Sequence, residues 1–204
     1  RVALVTDAGT PGISDPGAVI VKKCIEENIS FEVLPGATAI TTALVYSGLD
    51  TTRFLFRGFI SRDSKERNQL IEDIKNVQDS IIIYESPYRL ISTLSLLYEN
   101  LGNRKIAVCR ELTKLHEQIV RGDILHVINY FKENGVKGEI VIVISGKTQE
   151  EIRQEKENMW NSLSIEDHLR KVISEGNSKK DAIKIVCKER GLSKKDVYKH
   201  SLEL

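Results

Sequence analysis

The chain is predicted to fold as an α/β protein, and three features carry that prediction. Short, almost wholly apolar runs such as Ser80 to Tyr84 (SIIIY) and Glu139 to Ser145 (EIVIVIS) suit strands covered on both faces. Between such runs lie segments with apolar residues at helical spacing, as in Lys65 to Val77, where Leu70, Ile71, Ile74 and Val77 share one side. The two kinds of segment alternate along the chain, and repeating β-α-β units predict layered architecture with largely parallel pairing.

The elements follow in order. Val2 to Val5 is an apolar run that suits a strand, and it leads into a long loop ending at Gly17. Ala18 to Glu27 carries Ile20, Val21, Cys24 and Ile25 at helical spacing, with Asp15 as its N-cap and Pro16 at its first position. Phe31 to Leu34 reads as a strand and Ala37 to Tyr46 as a helix ended by Gly48. Phe54 to Ile60 is a strand in which Phe54, Phe56 and Gly58 alternate against Leu55, Arg57 and Phe59. Ser80 to Tyr84 is the next strand, Arg89 to Asn100 a helix closed by Gly102, and Lys105 to Cys109 a strand. Asp123 to Glu133 reads as a helix and Glu139 to Ser145 as the last strand of the body. The segment Gly48 to Thr52 is the expected boundary between two α/β layers, so the domains are expected at 1–50, 51–147 and 148–204.

Composition narrows the function. With 204 residues, 41% hydrophobic and 29% charged, the chain is ordinary for a globular protein, and its net charge of +1 argues against wholesale polyanion binding. Cys24, Cys109 and Cys187 are odd in number, far apart and free of any CxxC spacing, which suits reduced thiols in a cytoplasmic protein. No apolar stretch approaches the roughly 18 residues of a membrane span. The histidines never pair with cysteine at ligand spacing, so no metal site is expected. The chain enters a strand at Arg1-Val2 without an initiator methionine, and earlier residues of the native protein are expected.

Chemistry is expected in the loops that follow the strands. The twelve residues after Val5 hold three glycines, two prolines and two aspartates. Glycines at 9, 12 and 17 let main chain approach a bound molecule, and ligands of open α/β sheets sit outside the carboxyl ends of strands. A structural turn explains the same composition, and the absence of GK[ST] excludes a Walker A loop. Leu34-Pro35-Gly36-Ala37-Thr38-Ala39 opens a helix with free N–H donors and no bulk in front of them. Tyr84-Glu85-Ser86-Pro87-Tyr88-Arg89 and Arg110 to Glu117 (RELTKLHE) are two further polar strand endings. Any one of these suits a plain connection; four together point to a shared crevice.

VALVTDAGTPGISDPG, LPGATAITTAL, RFLFRGFI, IIIYESPYRL, CRELTKLHE and KGEIVIVISG occur in this order, and the set resembles the ribosomal RNA small-subunit methyltransferase I family of the tetrapyrrole-methylase superfamily. The resemblance runs from Val2 to Gly146. It implies two α/β domains of the tetrapyrrole methylase type, the first truncated at its N-terminus, followed by a small helical tail. It implies S-adenosylmethionine as cofactor and methylation of a cytidine ribose 2′-oxygen in small-subunit (30S) ribosomal RNA, by a homodimer. Carried onto this sequence, Ala8, Gly9, Thr10 and Ile13, then Thr38 and Ala39, then Tyr84, and then Gly138 and Glu139 match cofactor contacts. Asp7, Glu85, Glu111 and Lys114 are implied as catalytic and Arg110 as an RNA contact. The family's usual His is Tyr88 here, and its opening TPIGNL-type loop and EDTR motif do not occur in this chain. A ribose hydroxyl needs a base as its proton leaves, and Glu85, Glu111, Asp7 and His116 all qualify by residue type.

After Gly146 the sequence turns polar and then helical. Ser178 and Ser193 each open a helix with Lys-Lys-Asp behind them, joined by Gly191-Leu192-Ser193 in helix-turn-helix manner. From His168 to Leu204 ten basic residues face five acidic ones, a local excess that suits a phosphate backbone. Lys179, Lys180, Lys194 and Lys195 are the expected RNA contacts, with a solubilising helical cap as the plainer explanation. Trp160 is expected to anchor the tail on the body. A small-molecule, tetrapyrrole-like methylase and a non-enzymatic nucleic-acid-binding protein are the alternative functions.

Overall fold

In the computed structural model the described residues are 2–6, 9–14, 17–161 and 163–202. They form two compact units, one ending at Lys147 and the other beginning at Thr148.

The first unit is built on a five-stranded sheet of β1 (Phe54–Phe59), β2 (Ser80–Glu85), β3 (Lys105–Arg110), β4 (Gln118–Asp123) and β5 (Ile140–Ile144). Its order is β1-β2-β5-β3-β4. Only β1 and β2 pair in parallel; β5 lies between β2 and β3 and runs antiparallel to both, and β3 and β4 form an antiparallel hairpin. The largely parallel sheet expected from β-α-β alternation is therefore corrected. Where the last strand inserts depends on packing between distant segments, which local periodicity does not encode.

The central strands divide their side chains by parity. Ile81, Ile83, Ile106, Val108, Ile140, Ile142 and Ile144 face a layer of three helices: α3 (Ser64–Lys75), α4 (Leu90–Leu101) and α5 (Ile124–Asn134). Ile82, Ala107, Cys109, Val141 and Val143 face α2 (Ala39–Ser47) through Ile40, Ala43 and Leu44. Burial on both faces is why these strands read as unbroken apolar runs. Burial also pushes the Cys109 thiol up to about 11. The helix starts are chemically marked: Asp63 accepts from the amides of Lys65 and Glu66, and Thr38 accepts from Thr41.

Two expected strands do not form. Residues 2–6 and 31–34 have no ladder partner among the described residues and stay outside the sheet, with Val2, Val5, Val33 and Leu34 exposed. An apolar β-rich run becomes a strand only beside an edge that supplies its hydrogen bonds. The helix that follows, α1 (Ala18–Glu26), forms as expected but buries none of its residues. Its expected cap, Asp15-Pro16, lies outside the described residues. β4 is an addition to the sequence reading: QIVRGD is short and polar, and its strand character comes from pairing with β3.

The second unit comprises α6 (Gln149–Asn161), α7 (Ile165–Ser174), α8 (Lys179–Arg190) and α9 (Lys194–Ser201). Leu169, Val172, Ala182, Ile183, Val186 and Val197 make its core. Trp160 is buried, its ring stacked on His168 of this unit at 3.6 Å between centroids and 11° between planes.

Candidate functional site

Four of the strands bring their loops to one end of the sheet. Glu85 and Arg110, the last residues of β2 and β3, both pair with Ile140, the first of β5. Phe59 ends β1 beside Tyr84. α2 points its N-terminus to the same end. The Cys109 thiol lies 3.8 Å from the Ala43 carbonyl, whereas Arg121, opposite Ala107 in the hairpin, donates to the Tyr46 carbonyl through Nε at 2.7 Å. Moving forward along α2 thus moves backward along β3, so Thr38 and Ala39 emerge near Arg110.

The first two expected cofactor loops are tied to each other. The Thr10 amide donates to the Ala37 carbonyl at 3.2 Å, and the Gly36 amide donates to the Thr10 hydroxyl at 3.1 Å. A Cβ on Gly9 would sit 2.5 Å from the Ala37 oxygen, so this approach requires glycine. Thr38 spends its hydroxyl capping α2, which leaves main chain and the small residues Gly36, Ala37 and Ala39 at the rim. Ile13 is half exposed. Asp7 and Ala8 lie outside the described residues. An open groove of about 640 Å³ runs from this loop along α1, but its walls are Pro11, Ile13, Val21, Ile25 and Val33, with Thr10, Lys22 and Glu26 as its polar members. Such walls suit packing more than a charged ligand, and the donor-bearing rim at 36–39 is the better seat for one.

A charged cluster follows β3 and precedes β5 at this end of the sheet. The Glu111 amide donates to the Glu139 carbonyl at 3.0 Å, and the Glu139 amide donates back to the Glu111 carboxylate at 2.8 Å. Lys114 Nζ reaches Glu111 at 3.2 Å and Glu139 at 3.0 Å. The amide of Glu139, with Lys114 beside it, holds the Glu111 carboxyl below the ordinary carboxylate value; the two carboxylates in turn hold the Lys114 ammonium above its own. A carboxylate so stabilised is a weak proton acceptor. Glu111 and Thr113 both have positive φ, 50° and 64°, so the turn is held in backbone that ordinary residues avoid. Arg110 donates from Nη1 to the Lys137 carbonyl at 3.2 Å. The Glu111–Lys114 pair, which sequence spacing also allows on a solvated helix, is here part of a brace joining the RELTK turn to Lys137-Gly138-Glu139.

Glu85 stands apart from that cluster. It is 2% exposed and lies on the helix-layer face with Ile81 and Ile83. Its carboxylate accepts from the Ser86 amide at 2.8 Å and the Thr93 hydroxyl at 2.6 Å, with Arg89 Nε at 3.4 Å. Those partners fix the start of α4 and engage both carboxylate oxygens. Strand parity alone predicts this placement, since 81, 83 and 85 share a face. Tyr84 faces the other way, against Phe56 and Phe59.

In the second unit Lys179, Lys180, Lys194 and Lys195 are all exposed, in the first turns of α8 and α9. Ser178 and Ser193 cap those turns by accepting from the amides of Asp181 and Asp196, and each hydroxyl donates back to the same aspartate's carboxylate. Among the described residues no helix is long and apolar enough to cross a membrane, and no three His, Cys, Asp or Glu side chains cluster as a metal site.

The family model for Tetrapyrrole (Corrin/Porphyrin) Methylases matches residues 1–127. A Bacillus subtilis protein named ribosomal RNA small subunit methyltransferase I is 44% identical over 198 residues, covering 97% of this chain and 68% of the relative. The Synechocystis protein of that name is 44% identical over 205 residues, covering all of this chain and 72% of the relative. Among solved structures, a diphthine synthase superposes with a TM-score of 0.55 at 14% identity, over 69% of this chain and 58% of that one. The methyltransferase CobJ superposes at 0.50 with 17% identity, over 68% and 62%. At such identities these two speak for the fold alone: α/β of the tetrapyrrole methylase type.

Proposed function

Because the chain belongs to the ribosomal RNA small subunit methyltransferase I family, within the tetrapyrrole methylases, we propose that it methylates small-subunit ribosomal RNA from S-adenosylmethionine, at the 2′-oxygen of a cytidine. The observation that carries this reading is the convergence at one end of the sheet of the tied loops at Thr10 and Ala37 with the Arg110–Glu111–Lys114–Glu139 cluster.

The small-residue rim from Gly36 to Ala39 suits a group bound through main-chain donors, and with Gly9, Thr10 and Ile13 it is the seat we assign to S-adenosylmethionine. Tyr84, Gly138 and Glu139 close that seat from the sheet side. When bound, the sulfonium supplies an already activated methyl group, so the protein's contribution is alignment, worth up to roughly 7–11 kcal/mol in favourable cases. Glu111 and Glu85 act as positioning residues: one braces the RELTK turn, the other the start of α4. Lys114, half exposed and held positive, orients the target nucleotide through its phosphate or hydroxyl, and Arg110 supports it from the neighbouring strand end. The basic second unit grips flanking RNA through Lys179, Lys180, Lys194 and Lys195.

On this reading residues 1–50 and 51–147 correspond to the two domains of the fold type and 148–204 to an RNA-binding appendage. The family resemblance implies a cytoplasmic homodimer. The test is transfer of a labelled methyl group from S-adenosylmethionine to small ribosomal subunits by the full-length protein, followed by nucleoside analysis. Labelled 2′-O-methylcytidine supports the proposal. Label on another nucleoside overturns the cytidine assignment, and no transfer despite cofactor binding overturns the substrate class.

A further inference from the structure

β1 is an edge strand, and its register against β2 slips between Phe56 and Phe59. Gly58 lies in the slip with φ of 63°, which a side-chain-bearing residue adopts only under strain. Simple alternation puts Phe56 and Phe59 on opposite faces. The bulge instead turns Phe59 onto the face that Phe56 shares with Tyr84, while Leu55 and the buried Ile60 join the helix-layer core. Phe59 packs on Tyr84 with ring centroids 5.5 Å apart at 59°, and Phe56 on Tyr84 at 5.0 Å and 68°. Tyr84 is thus wedged between two rings, and Phe59, held from one side, remains 60% exposed.

We propose that Phe59, backed by Tyr84 and Phe56, is a stacking platform for an unpaired nucleobase of the RNA substrate beside the methylated nucleotide. This rests on the ribosomal RNA methyltransferase reading. Three observations favour a base over a protein surface. The exposed group is an aromatic ring held at a tilt by Tyr84 on one side and open on the other, and every base has a face that can stack on such a ring. Arg62, exposed and without a partner among the described residues, follows three positions later, with Lys65 beyond it, to meet the attached phosphate. The platform also continues the candidate site: β1 ends in the same row as Tyr84 and lies three strands from Arg110, roughly 14 Å at ordinary strand spacing, a distance that a few nucleotides span.

The experiment uses the full-length protein with Phe59→Ala, Phe59→Leu and Phe59→Trp, the last also combined with Trp160→Phe so that residue 59 carries the sole indole of these 204 residues. Steady-state transfer to small ribosomal subunits gives KM and kcat separately, and titration with a single-stranded RNA hexamer follows indole emission. Stacking predicts that Ala and Leu raise KM roughly 5- to 150-fold, the worth of one base stack, with kcat and cofactor affinity nearly unchanged. Trp restores the parental KM, and its emission is quenched by RNA. Unchanged KM in both Ala and Leu variants, or unquenched emission from a variant that still binds the hexamer, overturns the platform. Quenching without any methyl transfer keeps the platform and overturns the functional reading. Wild-type transfer that is indifferent to residue 59 does the reverse.

Discussion

Glu111 and Glu139 hold each other through two main-chain amides: each donates its N–H to the other residue, once to a carbonyl at 3.0 Å and once to a carboxylate at 2.8 Å. The exchange ties the turn after β3 to the residues that begin β5, and Lys114 is set between the two carboxylates. It also explains Gly138. That residue has φ of 88°, and a Cβ on it would overlap the Glu111 carboxylate.

Gly138→Ala should therefore break the brace. Left-handed backbone at alanine costs about 1–2 kcal/mol, and the clash displaces Glu111 and with it Lys114. Methyl transfer is expected to fall by more than tenfold while thermal unfolding shifts by only a few degrees. Activity retained within twofold means that the brace does not position Lys114.

What the sequence made legible, and what it did not, divides along physical lines. β2, β3 and β5 are recognisable because strands buried on both faces need unbroken apolar runs, and α3 and α4 because their apolar stripe repeats at helical spacing. β4 is hidden because QIVRGD earns its strand character from β3 alone. Val2 to Val5 and Phe31 to Leu34 have the composition of strands but pair with no neighbour among the described residues. The site motifs are visible as loops rich in glycine and charge. That Glu111 bonds to Glu139, 28 positions away, is a property of the sheet order and not of either motif. The buried placement of Glu85 was readable from strand parity.

The second unit is expected to lose stability in mild acid. Arg190 Nε donates to His168 Nδ1 at 3.0 Å; because a guanidinium has no acceptor, the imidazole proton sits on Nε2 and is donated to Glu189 at 3.0 Å. Burial, with Arg190 next, holds the His168 value below its ordinary 6.5, and Glu189 only partly offsets this. The unfolded chain therefore takes up the proton first. The contribution of His168 is present above about pH 6.5 and is lost as pH falls through the lower folded-state value. Trp160, stacked on this ring and the sole tryptophan, reports the event: its emission should drop as the imidazolium forms. A His168→Gln variant should unfold with a flatter dependence on pH below about 6.5. An identical slope in that variant contradicts the assignment.

Three helices of the second unit begin alike. Ser164, Ser178 and Ser193 each accept the amide of the aspartate three residues on and donate to that aspartate's carboxylate. Replacing any one serine by alanine should cost about 0.5–2 kcal/mol. Chemical denaturation monitored at Trp160 measures this, and a double Ser178→Ala, Ser193→Ala variant should lose about the sum. A loss below a few tenths of a kcal/mol shows that the caps are replaced by solvent.

The lysines behind two of those caps should matter for RNA and not for the cofactor. Changing Lys179, Lys180, Lys194 and Lys195 to glutamate is expected to weaken binding to small-subunit RNA and to flatten its salt dependence by about one unit of log–log slope per phosphate contact removed. Calorimetry with S-adenosylmethionine should be unchanged. RNA affinity that survives at low salt removes the second unit from the interface.

The loop at Gly9 to Ile13, tied to Ala37, is the seat on which the proposed chemistry stands. A structure of the full-length protein with S-adenosylhomocysteine locates that ligand outright. Density against Gly9 to Ile13 and Thr38-Ala39, on the side facing Glu139, is the outcome expected here. Density lodged elsewhere, or no binding at millimolar ligand, contradicts it.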